Sequence, residues 1–144
     1  TGLVGSEMCI RDSLNSSYSG YNSPAGEDLN GRDQAHAPSY QYSFSATFGG
    51  VSDWFGDIVI QGQDGFYFSD THDFQSDAHA LINAGLGRYI GDFEAHFWIK
   101  NLFDQEYSVR GFFFGNDPRT GYADTGWTQM GNPRQFGISI RKDF

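Results

Sequence analysis

The chain is poor in the residues that most soluble chemistry needs. Cys9 is its only cysteine, so a disulfide framework and a thiol metal cluster are both excluded. Nine Lys and Arg stand against eighteen Asp and Glu, and the net charge of -9 repels phosphate backbones, which disfavours a nucleic-acid partner. No run of about 18 apolar residues occurs, so a transmembrane helix is excluded. Membrane-spanning strands are not, because they are compatible with a mean hydropathy as low as the -0.51 found here. There is no Gly-x-Ser-x-Gly elbow, no phosphate loop and no His-Glu-x-x-His, and the carboxylates fall where loops are expected. Neither an enzyme nor a cofactor is expected.

What the chain does have is aromatic residues and glycine. Phe, Tyr and Trp make up 17% of it, Gly occurs 19 times and Pro only 4 times, a balance that suits β-strands with tight turns. Period-2 alternation marks the strands. Residues 39–48 place Tyr40, Tyr42, Phe44, Ala46 and Phe48 on one side and Ser and Thr on the other. Residues 57–68 place Ile58, Ile60, Phe66 and Phe68 on one face, and 78–89 do the same with Ala78, Ala80, Ile82, Ala84 and Leu86. Residues 93–99 alternate Phe93, Ala95, Phe97 and Ile99 with Glu94, His96 and Trp98, and a tight turn joins them to the preceding strand as a hairpin. The last segment, 133–144, carries Phe136, Ile138, Ile140 and Phe144 on one face. Residues 14–21 form a weak, partial strand. No helical period competes, so the expected fold is all-β, an antiparallel up-and-down meander of about five or six strands.

The connections alternate in length. Segments 22–38, 69–77 and 101–132 are long and polar, whereas 49–56 and 90–92 are short, so a meander gathers the long loops at one end. Outer-membrane barrels have this asymmetry, with long extracellular loops and short periplasmic turns. Alternation alone does not separate a membrane barrel from a soluble lipocalin-like barrel or β-sandwich, in which the apolar face points inward. Two details favour the membrane. The strands match a tilted bilayer crossing, and Tyr40, Phe48, Phe66, Phe93 and Phe144 lie near strand ends, as interfacial rings do. The opposite faces carry His79, Glu94, His96, Lys100, Arg141 and Asp143, too many charges for a dry core.

The stretch 99–107, IKNLFDQEY, resembles a segment near the C-terminus of TonB-dependent outer-membrane receptors, where it caps the penultimate strand before the last extracellular loop. The likeness continues in VRGFFFGNDP (109–118), GNPRQFG (131–137) and the terminal Phe144, and upstream in 28–48. The third residue from the end, often aromatic in that family, is Lys142 here. The resemblance implies that 14–144 is the C-terminal portion of a barrel of about 22 strands whose plug domain lies outside this chain. It implies an outer-membrane location in a Gram-negative bacterium, with the C-terminus periplasmic and with lipid and lipopolysaccharide around the barrel. It further implies energising by TonB, recognition of Ile138, Ile140 and Phe144 by the barrel-assembly machinery, and import of a ferric siderophore, similar iron complex or other large nutrient. A passive porin is the alternative within the membrane, the soluble binder the alternative outside it. Residues 4–13, VGSEMCIRDS, have no convincing period and resemble a translated sequencing adapter, so 1–13 is expected to be an artefact or a disordered extension.

Three groups are candidates for ligand chemistry. Loop 101–132 holds Tyr107, Arg110, Phe113, Arg119 and Trp127, a mixture of guanidinium and ring suited to an anionic iron chelate or a large organic ligand. The plainer use of those rings, packing the loop onto its neighbours, is the stronger reading. Asp70, His72, Asp73 and Asp77 offer hard ligands to a cation, but a solvated acidic loop is the simpler account. His79 and His96 meet across a hairpin in this reading, as hydrogen-bonding groups and not as metal ligands, since no third ligand is evident.

Overall fold

The computed structural model describes the backbone of residues 3–11 and the whole of residues 16–49 and 52–142. In chain order the strands are β1 (Leu3–Arg11), β2 (Gln41–Phe48), β3 (Trp54–Gln63), β4 (His79–Ile90), β5 (Phe93–Lys100), β6 (Ser108–Phe114), β7 (Thr125–Met130) and β8 (Gln135–Lys142). One turn of 3-10 helix, Pro118–Thr120, lies between β6 and β7. The main sheet has six antiparallel strands in the order β1-β2-β3-β4-β5-β8, and β6 and β7 form a separate hairpin. The sheet is open, with β1 at one edge and β8 at the other.

The register sorts the side chains onto two unlike faces. Phe44 faces Ile60 and Ile60 faces Ile82, while Leu86 faces Phe97 and Phe97 faces Ile138. Because neighbours across a ladder share a face, these rows join the apolar positions of five strands into one continuous surface. Nothing covers it among the described residues: Phe136, Ile138 and Ile140 are each about 70% exposed, at 69%, 70% and 72%. The other face carries Gln61 opposite Ser43, Asp57 opposite Gly85, His96 opposite Ser139 and Glu94 opposite Arg141.

The apolar face ends in cations at its short-turn margin. Arg88 lies over the Trp54 ring at 5.3 Å and Lys142 over the Phe93 ring at 5.3 Å. These are the only charged side chains on that face among the described residues of β2 to β5 and β8. Long cationic side chains at an edge of an apolar band extend their charge away from it, and each here also has a ring beneath it.

Connection lengths alternate as expected. Gly91, in the left-handed region at φ 60, and Asp92 make the two-residue turn from β4 to β5. The β3–β4 and β5–β8 connections are long and lie at the opposite end, together with residues 16–40.

Leu3–Arg11, which lacks a side-chain period, pairs with β2 along the edge that β3 leaves open, since a ladder uses backbone groups and requires no period. Three local expectations need correction. The weak strand proposed at 14–21 is absent from its described part. Residues 16–21 are loop, with a single bridge from Ser17 to Asp33 and a bend at Gly20, whose φ is 63. β3 stops at Gln63, so Phe66 is no strand-end ring and Phe68 no strand-face residue, and both are core residues, 7% and 4% exposed. The stretch 101–132 is not irregular throughout, because it contains the β6–β7 hairpin.

Candidate functional site

Among the described residues, the buried side chains larger than glycine's lie in the loops and not on the sheet. Leu29, Phe66 and Phe68 are the buried hydrophobic residues among those described, with Ser23, Ser76 and Asn101 the buried polar ones. Asp64 and Gly65 turn the chain out of β3, and Ser76 then holds Phe66 from both sides. Its hydroxyl accepts from the Phe66 amide at 3.1 Å, and its amide donates to the Phe66 carbonyl at 2.9 Å. Phe66 meets Phe68 edge-on at 5.4 Å, Phe68 meets Phe74 at 5.1 Å, and Phe74 meets Phe113 at 5.4 Å. His36 stands against both Phe66 and Phe68. Each ring pair adds roughly 0.5–1.5 kcal/mol beyond its buried area. The three long connections are thereby packed into one cap over the sheet end.

Arg32 ties the first of these connections to the second. Its guanidinium lies 4.3 Å over the Tyr67 ring, donates to the His72 carbonyl, and pairs with Asp73 at 2.8 Å. Asp70 accepts from the Ala35 amide at 3.2 Å and from the Tyr18 hydroxyl, which holds the Tyr18 phenol above its ordinary pKa. His72 stacks on Phe113 at 4.0 Å and shares Nδ1 with the Ser69 and Thr71 hydroxyls. Asp70, His72 and Asp73 thus join this loop to its neighbours, and no group of three or more His, Cys, Asp or Glu placed to hold a metal ion occurs among the described residues.

The segment that carries the resemblance works as a lock between strand and loop. Asn101 follows β5 in the left-handed region at φ 51, a conformation that Asn tolerates better than most residues. Its amide nitrogen donates to the Gln105 carbonyl at 2.9 Å and the Asn132 carbonyl at 3.2 Å, and its oxygen accepts from the Gln105 amide at 2.9 Å. Its own backbone amide donates to the Asn83 side chain at 2.9 Å. Asp104, also left-handed at φ 53, accepts from the Arg134 amide at 2.7 Å. Tyr107 closes the lock: its carbonyl accepts from the Gly131 amide at 2.8 Å, and its ring occupies the space a Cβ on Gly131 would need. The departure from β5 and the return to β8 are held side by side.

The rings of Tyr107 and Phe113 therefore pack against neighbouring segments. The Tyr107 ring also rests on His79, at 4.7 Å. Arg110, Arg119 and Trp127 stand differently, on the hairpin surface. Arg110 lies over Phe112 at 4.9 Å, Trp127 stacks with Phe114 at 6.3 Å, and both partner rings are exposed. Arg119 grips Asp117 through two nitrogens, at 2.8 and 3.0 Å, and holds that carboxylate below its ordinary pKa. His79 and His96 do not meet. Residues paired with β5 begin at Ala84, which leaves His79 beyond the hairpin ladder, while His96 faces Gly87. His96 Nε2 lies 3.6 Å from Asp57 Oδ1, over Gly85, where any side chain would collide with both. Ile138 and Ile140 lie on the exposed apolar face, and Phe144 lies outside the described residues.

Beneath the cap, the polar face opens into a concavity of about 570 Å³ lined by Gln41, Ser43, Gln61, Gln63, His79 and Leu81, among others. Sequence reading passed over this group, because alternating Gln and Ser look like any solvated strand face. The signal was the adjacency of Gln61 and Gln63 at the end of a strand that precedes a long loop. No family model and no solved structure matches the chain.

Proposed function

We propose that this chain is wall and loop structure from a TonB-dependent outer-membrane receptor, with its apolar face in lipid, its polar face toward the lumen and its loop cap outside the cell. The observation that carries the reading is the continuous, uncovered apolar face of β2 to β5 and β8, backed by a polar face with His96, Glu94, Lys100 and Arg141. In water such a face would be a severe association hazard. In a bilayer it is the expected exterior, and Arg88 and Lys142 lie at one margin of it, where an interface would fall. The resemblance at 99–137 supports the receptor class, since its residues serve in the lock at the junction of strand and outer loop. The function is then import of a scarce, large nutrient captured by the cap and passed down the polar face.

Brominated lipid tests the membrane reading. In the chain incorporated into phosphatidylcholine vesicles, Trp54 on the apolar face is expected to be quenched by brominated acyl chains, and Trp98 on the polar face to be spared. A monomeric, cooperatively folding chain in buffer without detergent or lipid would overturn it.

A further inference from the structure

We infer that the ligand of this receptor is neutral and polyhydroxylated, of the oligosaccharide class, and not an anionic iron chelate. The inference rests on the receptor reading and names the substrate class of its site. Its first support is charge. Residues 16–40, 64–78 and 101–134, which form the cap, hold eleven Asp and Glu against four Arg. Three of those arginines already have carboxylate partners: Arg32 with Asp73, Arg119 with Asp117, and Arg134 with Asp104. The fourth, Arg110, lies over the Phe112 ring. An approaching anion meets a negative field and no uncommitted cluster of cations, whereas a neutral ligand is indifferent to that field.

The second support is the chemistry of the concavity. Gln41, Ser43, Gln61 and Gln63 line it, with the Gln41 amide 3.5 Å from the Gln63 oxygen and Ser43 opposite Gln61 on the ladder. Amides and hydroxyls offer donors and acceptors together, which is what a hydroxyl, itself both, requires. Among the described residues, no carboxylate or guanidinium lines this space. The third support is on the β6–β7 hairpin: the stacked pair Phe114 and Trp127, each 45% exposed, offers flat apolar faces to sugar rings.

Calorimetry on the chain in detergent micelles tests this, with neutral malto-, cello- and xylo-oligosaccharides set against ferric citrate and spermidine. At least one oligosaccharide is expected to bind, with little change between about 50 and 500 mM salt. The double variant Gln61→Leu with Gln63→Leu is expected to weaken that binding about tenfold or more, while melting as the parent does. Rejection of every oligosaccharide by folded chain, or binding of ferric citrate or spermidine in their place, overturns the inference. Lipid quenching of Trp54 on the same preparation separates the two failures. Quenching without sugar binding removes the ligand class alone, and a soluble monomer removes the receptor reading together with it.

Discussion

The side-chain amide of Asn101 donates to the carbonyl of Asn132 at 3.2 Å, bridging thirty-one residues of sequence. With the Asp104–Arg134 and Tyr107–Gly131 bonds, it holds the point where the longest connection leaves the sheet beside the point where it comes back. Asn101 is 5% exposed, and removing its side chain would take away three hydrogen bonds, two with Gln105 and one with Asn132.

Replacing Asn101 with Ala is therefore expected to destabilise the cap by about 2–4 kcal/mol, through three lost hydrogen bonds and a left-handed backbone without a suitable residue. Asn101→Gly, which relieves the backbone but keeps the amide missing, should recover only part of this. Thermal melting and protease cutting within 102–131 read both variants. Equal melting of Asn101→Ala and the parent would show that the lock is ornamental.

Gly111 and Gly131 are expected to be intolerant for a different reason. A Cβ on Gly111 collides with the Phe68 ring, and one on Gly131 with the Tyr107 ring. Gly131→Ala should cost about 1–3 kcal/mol, as overpacking does. Combined with Tyr107→Ala, which opens the space, it should cost much less than its effect alone, and a double-mutant cycle measures the difference.

On the apolar face, Ile138→Lys distinguishes environments by its sign. At 70% exposure in water, Ile138 loses little by becoming Lys. In lipid the same change near the middle of the band costs about 2–4 kcal/mol. Unfolding in vesicles and the retained soluble fraction, measured side by side, are expected to move in opposite directions.

The Arg119 pair with Asp117 sets a pH dependence at the hairpin tip. Arg119 lowers the carboxylate's folded pKa, so its stabilising effect is complete above the unfolded value of about 3.9 and is lost as pH falls through the lower folded value. An NMR titration of the Asp117 carboxyl should place its midpoint beneath the ordinary range, and Arg119→Gln should return it there. The tip should loosen only in acid below that range.

Arg32 is expected to couple two loops. Arg32→Ala removes the Tyr67 contact, the His72 carbonyl bond and the Asp73 pair together. Hydrogen exchange should then quicken in both 16–38 and 64–78, with a stability loss of about 1.5–3 kcal/mol. Arg32→Lys keeps the charge but not the planar fork, and should restore only a fraction.

Strand positions were legible because a period of two survives any tertiary context. The alternation at 39–48, 78–89, 93–99 and 133–144 became β2, β4, β5 and β8 with ends displaced by a few residues. β6 and β7 were hidden because Gly111 and Gly126 interrupt their pattern, and those glycines are there to admit Phe68, Phe74 and Phe113. Phe66 and Phe68 were assigned to a strand because their spacing fits one, yet Asp64 and Gly65 end β3 before them.

The candidate site was legible only as a list of rings and arginines in 101–132. Which of them pack and which face outward depends on loops far apart in sequence: Phe113 meets His72 and Phe74, Tyr107 meets His79 and Gly131, and Arg119 turns back on Asp117.

By itself the sequence determined the two unlike faces and the alternation of short turns with long loops, because both follow from side-chain period and local turn chemistry. The tertiary structure decided that the apolar face stays uncovered and that the buried core belongs to the loops. It also decided that the asparagine of the NLFDQEY stretch is a structural lock, because burial and hydrogen bonding between distant segments are properties of the packed chain and of no segment alone.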